Sequence, residues 1–248
     1  MAQYFFDFTQ RTGETGQFPD ELELVVPVAD PTSVCSIAGG FTIEAGDATS
    51  LRMFGNGAGV LFKDIVDTST DVEFVFTFRH FIGPIARFNE TNGDFSGYLW
   101  DGRNIIDSRV YTGSGSNSNR LAFTSGGFGG GTGQARVQIV GSTVRAKYFT
   151  GWGIEPAEWG HEVQNTDWPG AGRVAMQSTD LSPSLLGKIG IGTDGDPAPT
   201  EPTGPLSTTE AFALRHNPRT NKVIPVLSSP TVTDIGANCV RPRVSKGF

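Results

Sequence analysis

The side chains best equipped for chemistry in this sequence are a close pair of carboxylates, three turn-flanked tryptophans and three histidines. Glu155 and Glu158 flank Pro156, and two carboxylates this near could act as general acid and base. His80, His161 and His216 are scattered and have no Cys or His companion at ligand spacing, so no zinc site is expected. Gly190-Ile191-Gly192-Thr193-Asp194-Gly195 matches G-x-G-x-x-G, but Pro197 and Pro199 stand where a phosphate-binding helix would have to begin. There is no G-x-S-x-G elbow and no phosphate loop, so hydrolytic serine and nucleotidase chemistry lack their residues. Trp100, Trp152 and Trp168 each sit beside Gly, Asp or Pro, where an exposed indole could stack on a sugar ring. Trp100-Asp101-Gly102-Arg103-Asn104 adds polar groups able to bond hydroxyls. Trp100, Asp101, Asn104 and Trp152 are therefore the candidate glycan-binding residues, with core packing the competing role for any Trp.

The elements that must position these groups read as strands. In a chain of 248 residues, Gly 33 and Pro 15 with only 18% charged residues point to many tight turns between short strands. Phe74, Phe76 and Phe78 alternate within Asp71–Arg79 and share one face of a half-buried strand. Residues 136–148 read as a hairpin around Gly141-Ser142. Further strands are expected at 4–8, 33–38, 41–45, 51–54, 60–65, 84–89, 96–101, 104–111, 120–124, 171–178 and 186–192, with no amphipathic helix. The stretches 112–119 and 126–133 are loops by composition. The fold class is all-β: an antiparallel sandwich over residues 1–195, a Pro-rich linker over 196–205 and a short β-rich tail over 206–248.

The formal net charge of -7 disfavours nucleic-acid binding for the whole chain. Residues 201–248 reverse that balance, with six Lys and Arg against three Asp and Glu. Arg215, Arg219, Lys222, Arg241 and Arg243 are the candidate anchoring residues toward an acidic partner. Strands are expected at 223–227 and 231–240, but about 40 residues are too few for an independent core. The tail is expected to pack on the body, on another copy or on a partner. Cys35 and Cys239 could pair, although their apolar neighbours suit free thiols acting as small hydrophobes. Neither a signal peptide nor a membrane span is expected.

Three stretches, Gly141–Phe149, Glu155-Pro156-Ala157-Glu158-Trp159 and Gly170–Ala175, together resemble the concanavalin A-like lectin/glucanase (laminin G-like) jelly rolls. The resemblance implies that the Glu-Pro-x-x-Trp turn is structural, with Trp159 packed on the sandwich. It also implies that Tyr4–Phe8 lies near Gly187–Gly192. A glucanase of that kind would carry acid-x-Asp-x-x-acid on one strand; the nearest match is Asp71-Val72-Glu73, and Phe76 stands where the third acid belongs. No catalytic residue and no cofactor is expected; calcium would fall to turn carboxylates such as Asp94, Asp101 and Asp194. The opening Met1-Ala2-Gln3-Tyr4 and its aromatic-Asp-Phe strand is similar to bacteriophage virion proteins that carry this domain. Pro225–Ala237 resembles the opening strands of fibronectin-III-like or Ig-like modules. These resemblances imply a non-enzymatic virion structural protein, a capsid decoration or tail-associated module, with other virion proteins and its own copies as partners. The alternative is an adhesin binding host surface glycans through its loops.

Overall fold

The computed structural model describes residues 2–26, 28–40, 43, 46–55, 59–65, 69–91, 94–101, 105–112, 115–123, 132–149, 155–178, 183–201, 212–217 and 222–227. The chain divides into two units, Met1–Thr203 and Gly204–Phe248.

Fifteen of the described strands belong to the first unit: β1 (Ala2–Asp7), β2 (Leu22–Leu24), β3 (Cys35–Gly39), β4 (Thr49–Met53), β5 (Gly59–Phe62), β6 (Val72–Arg79), β7 (Ile82–Thr91), β8 (Asp94–Asp101), β9 (Ile105–Thr112), β10 (Gly115–Phe123), β11 (Thr132–Val140), β12 (Thr143–Phe149), β13 (His161–Gln164), β14 (Arg173–Ser178) and β15 (Ser184–Thr193). They form two sheets. Sheet A runs β13-β12-β11-β6-β15-β4-β3, with β1 also on β15, and sheet B runs β10-β9-β8-β7-β14-β5-β2. Every pairing is antiparallel, and the chain switches sheets repeatedly, from β5 to β6 to β7 and again from β13 to β14 to β15. The fold is a jelly-roll β-sandwich.

Alternation builds its core. Phe74, Phe76 and Phe78 of β6 point inward and are fully buried, opposite Tyr98 and Trp100 of β8. The Trp100 ring stands edge-on to Phe76 and Phe78 at 5.4 and 5.2 Å, a favoured arrangement of aromatic quadrupoles. At 1% exposure Trp100 is a core residue, which corrects its candidacy as a sugar-stacking platform: both of its faces are already packed.

The first strand closes the sheet on the last: β1 pairs with β15 from Ala2↔Thr193 to Asp7↔Lys188. Gly141 and Ser142 join β11 to β12 as a two-residue turn, with Gly141 at φ 55. Two expectations change. Residues 115–119, loop by composition, are the first half of β10, because the ladder to β9 engages their backbone whatever their side chains prefer. Residues 196–199, the start of the stretch expected as an extended Pro-rich linker, lie on sheet A, where Ala198 and Pro199 are buried.

The second unit contains β16 (Phe212–Asn217) and β17 (Lys222–Leu227), an antiparallel hairpin running from Phe212↔Leu227 to Asn217↔Lys222. The strand at 223–227 is thus present, and its partner is the preceding segment 212–217. The strand expected at 231–240 lies outside the described residues, as does Cys239. Cys35 is a free, buried thiol, and burial pushes it well above the usual thiol range.

Candidate functional site

The outward face of sheet A gathers polar side chains in three rows across the strands. The pairing register sets Gly192, Glu73, Gln138 and Arg145 in one row and Gly190, Val75, Arg136 and Lys147 in the next. The third holds Lys188, Thr77, Gln134 and Phe149, with the Lys188 N–H donating to Thr77 Oγ1 at 2.8 Å. A groove of about 420 Å³ opens over this third row, lined by Val75, Gln134, Phe149, Glu155, Lys188, Thr200 and Glu201.

Beside the groove, the charges are tightly organised. Arg136 donates from Nε to Glu155 Oε1 at 2.7 Å and from Nη2 to Glu155 Oε2 at 2.9 Å, a bidentate fork, and its Nη1 reaches Glu73. Gln138 also donates to Glu73. Lys147 Nζ lies 2.6 Å from Glu155 and donates to the Pro156 carbonyl at 2.8 Å. Burial alone would raise the Glu155 carboxyl, but hydrogen bonds from Arg136 and Lys147 outweigh it and hold Glu155 below the ordinary carboxylate range. Burial likewise opposes the charge on Arg136, and Glu155 and Glu73 overcome it, raising that guanidinium further. Trp159 covers the same strand, with Arg145 and Lys147 at 4.4 and 4.7 Å from its ring centre. The Glu155–Trp159 turn therefore acts as a clamp on β12, with Glu155 ion-paired to Arg136 and Lys147 and Glu158 exposed.

A second polar cluster, not anticipated from the sequence, surrounds Arg87. This residue is 1% exposed and has a left-handed backbone at φ 53, inside a register shift of β7 against β8. Its guanidinium donates to three carbonyls, Thr70, Trp168 and Gly141, at 2.7, 2.7 and 2.5 Å, so one side chain ties three loops. Burial lowers its pKa, and the nearest carboxylate, Asp71, is 4.0 Å away. Tyr98 extends the cluster by donating to Asn165 Oδ1 at 2.8 Å. The only sequence sign of Arg87 is a lone Arg inside an apolar run.

Of the other expected site residues, Asp101 ends β8 with its side chain undescribed, and Asn104 and Trp152 lie outside the described residues. Arg215 and Lys222 belong to the β16–β17 hairpin with undescribed side chains; Arg219, Arg241 and Arg243 lie outside. Asp194 is a turn residue that accepts from Ser69 Oγ at 3.0 Å, and Asp94, like Asp101, has no described side chain. Among the described residues, no group of three His, Cys, Asp or Glu is arranged to hold a metal ion, and no helix is long and apolar enough to cross a membrane.

Fold and face together define an antiparallel jelly-roll β-sandwich whose sheet A carries a polar groove. No family model matches the sequence, and no curated protein matches it. Among solved structures, the chain is similar to a protein of unknown function from Shewanella oneidensis MR-1, at 10% identity, 76% coverage of this chain and 84% of that one, and TM-score 0.44. It is also similar to the carbohydrate-binding module CBM66 from Bacillus subtilis, at 7% identity, 71% and 96% coverage and TM-score 0.43. A prokaryotic β-1,3-1,4-glucanase (lichenase) derived from a mouse hindgut metagenome matches at 6% identity, 78% and 100% coverage and TM-score 0.41.

Proposed function

We propose that the chain is a non-enzymatic, lectin-like display module of a virion, decorating a capsid or associated with a tail, whose sheet A groove takes an uncharged polar saccharide. The commitment of its carboxylates carries the non-enzymatic reading. A glycosidase keeps one carboxyl protonated near neutral pH by raising its pKa. Glu155, which lines the groove together with Glu201, is displaced the other way by Arg136 and Lys147. Glu73 is bonded by Arg136, Gln138 and the Ala198 N–H.

A saccharide suits the groove because Lys188, Gln134, Thr200 and Glu201 offer donors and acceptors beside the apolar Val75 and Phe149. The charges around it also offset one another: Arg136 and Lys147 pair with Glu73 and Glu155, and Lys188 and Glu201 both line the groove. The virion setting is supported by the likeness of the opening segment to phage structural proteins. The basic balance of residues 201–248 suits attachment to an acidic virion partner or to further copies.

Incubation of the purified protein with soluble neutral polysaccharides tests the first part. The expected result is retention on the polysaccharide without release of reducing ends. Release by the native chain, lost in Glu155→Gln, would overturn the non-enzymatic reading. Mass spectrometry of purified particles tests the setting; absence of the chain from them removes it.

A further inference from the structure

We infer that the groove accepts the end of a saccharide chain and not its interior, because residues 196–201 of the protein itself stand across one end. The inference rests on the saccharide reading above. Asp194 and Gly195 both have left-handed backbones, φ 57 and 87, and the Asp196 N–H donates to the Thr193 carbonyl at 3.1 Å. This tight turn folds the chain back over its own strand, β15. The returning strap is held there by the Ala198 N–H on Glu73 Oε1 at 3.2 Å and by Gln3 Nε2 on the Pro197 carbonyl at 2.8 Å.

Two glycines make room for it. Gly190 and Gly192 are successive outward positions of β15, and a Cβ on either would collide with the strap: the Pro199 carbonyl at Gly190, the Asp196 carbonyl at Gly192. These are the glycines of the G-x-G-x-x-G match, and their bare backbone serves as a trough for a strand. Pro197 and Pro199 fix φ in advance and need no hydrogen-bond partner for an N–H, which lowers the entropic cost of keeping the strap docked.

The consequence for a ligand is directional. A polymer crossing sheet A from β12 over β11 and β6 meets the strap backbone at β15. Its passage along the first two rows is also obstructed by the Arg136–Glu155 bridge and by Ala198 on Glu73. Over the third row, Thr200 and Glu201 of the strap line the groove together with Lys188. A chain end can stop against these groups and offer them its terminal hydroxyls, which an interior unit lacks.

The test compares a linear neutral β-glucan, a mannan and a xylan, each intact and after partial acid hydrolysis, at equal sugar mass. End recognition requires the half-saturating mass of the bound polymer to fall in proportion to the ends created. Binding that follows mass alone, or weakens on hydrolysis, overturns end recognition and leaves the saccharide reading standing. No retention on any polymer or hydrolysate overturns both. A second arm displaces the strap by Gly190→Val, with Ala198→Pro as a second variant that removes the N–H bonded to Glu73 and adds a ring at a buried position. A folded variant is expected to gain binding to intact polymer, and a folded variant with native preference for ends shows that the strap is not the wall.

Discussion

At the scale of single residues, Glu155 links fold and pH. Its folded pKa lies below the ordinary carboxylate range, so its stabilising contribution is fully present above that range and is lost as pH falls through the folded value. Glu155→Gln removes that dependence: below about pH 4.5 the native melting temperature is expected to fall more steeply than the variant's, and near pH 7 the variant is expected to be less stable by roughly 1 kcal/mol, the scale of a half-exposed ion pair. Parallel thermal melts across pH would show it, and parallel slopes would contradict it. Arg87 acts in the interior. Arg87→Met keeps the length of the side chain but strands the carbonyls of Thr70, Trp168 and Gly141, so a loss of about 3–5 kcal/mol is expected in urea unfolding. Trp100→Ala should cost about 3–5 kcal/mol by opening a cavity between the sheets. Any change it makes to saccharide retention should vanish when binding is measured at low temperature on the folded fraction.

At the scale of elements, close approach decides which glycines are indispensable. Gly172 pairs with Ser69 in an isolated bridge beside Arg87, and a Cβ there would run into the Arg87 backbone. Gly172→Ala is expected to destabilise by about 1–3 kcal/mol, as overpacking does, and to loosen the loop that carries Trp168. Amide hydrogen exchange would locate the change at 165–172; a uniform change along the sheets would refute the local account. Gly13, with nothing near its Cβ position, is the control and should tolerate Ala.

At the scale of the molecule, the sandwich depends on joining its two ends. β1 covers one flank of β15 over six paired residues, and Phe6 packs on Phe62 with ring centres 4.7 Å apart. A chain beginning at Thr9 would leave the backbone of that flank unpaired from Lys188 to Thr193, an open edge that invites pairing with another copy. It is expected to aggregate on refolding where the full chain does not, and light scattering during dilution from urea would record it. Pairing so distant in sequence carries a high loop-closure cost, so slow folding in the range of ms to s is also expected.

Much of the sandwich was legible in strand rhythm, because alternation is a local property: Phe74, Phe76 and Phe78 announce an inward face without reference to any other strand. The Gly141-Ser142 hairpin was legible for the same reason. What composition and spacing could not supply is which surface each strand finally meets. Trp100 looks like an exposed platform beside Asp101 and Gly102, yet the opposite sheet buries it. Residues 115–119 look like a loop until β9 supplies their hydrogen bonds. The prolines at 197 and 199 look like an extended linker until Gly190 and Gly192 provide a trough. The candidate groove has no motif at all: Lys188, Gln134 and Phe149 meet through the packing of β15, β6, β11 and β12, and Glu201 joins them because the chain folds back over β15. Local patterning set the strands and their inward faces, and long-range register, which no short window of sequence contains, decided the site.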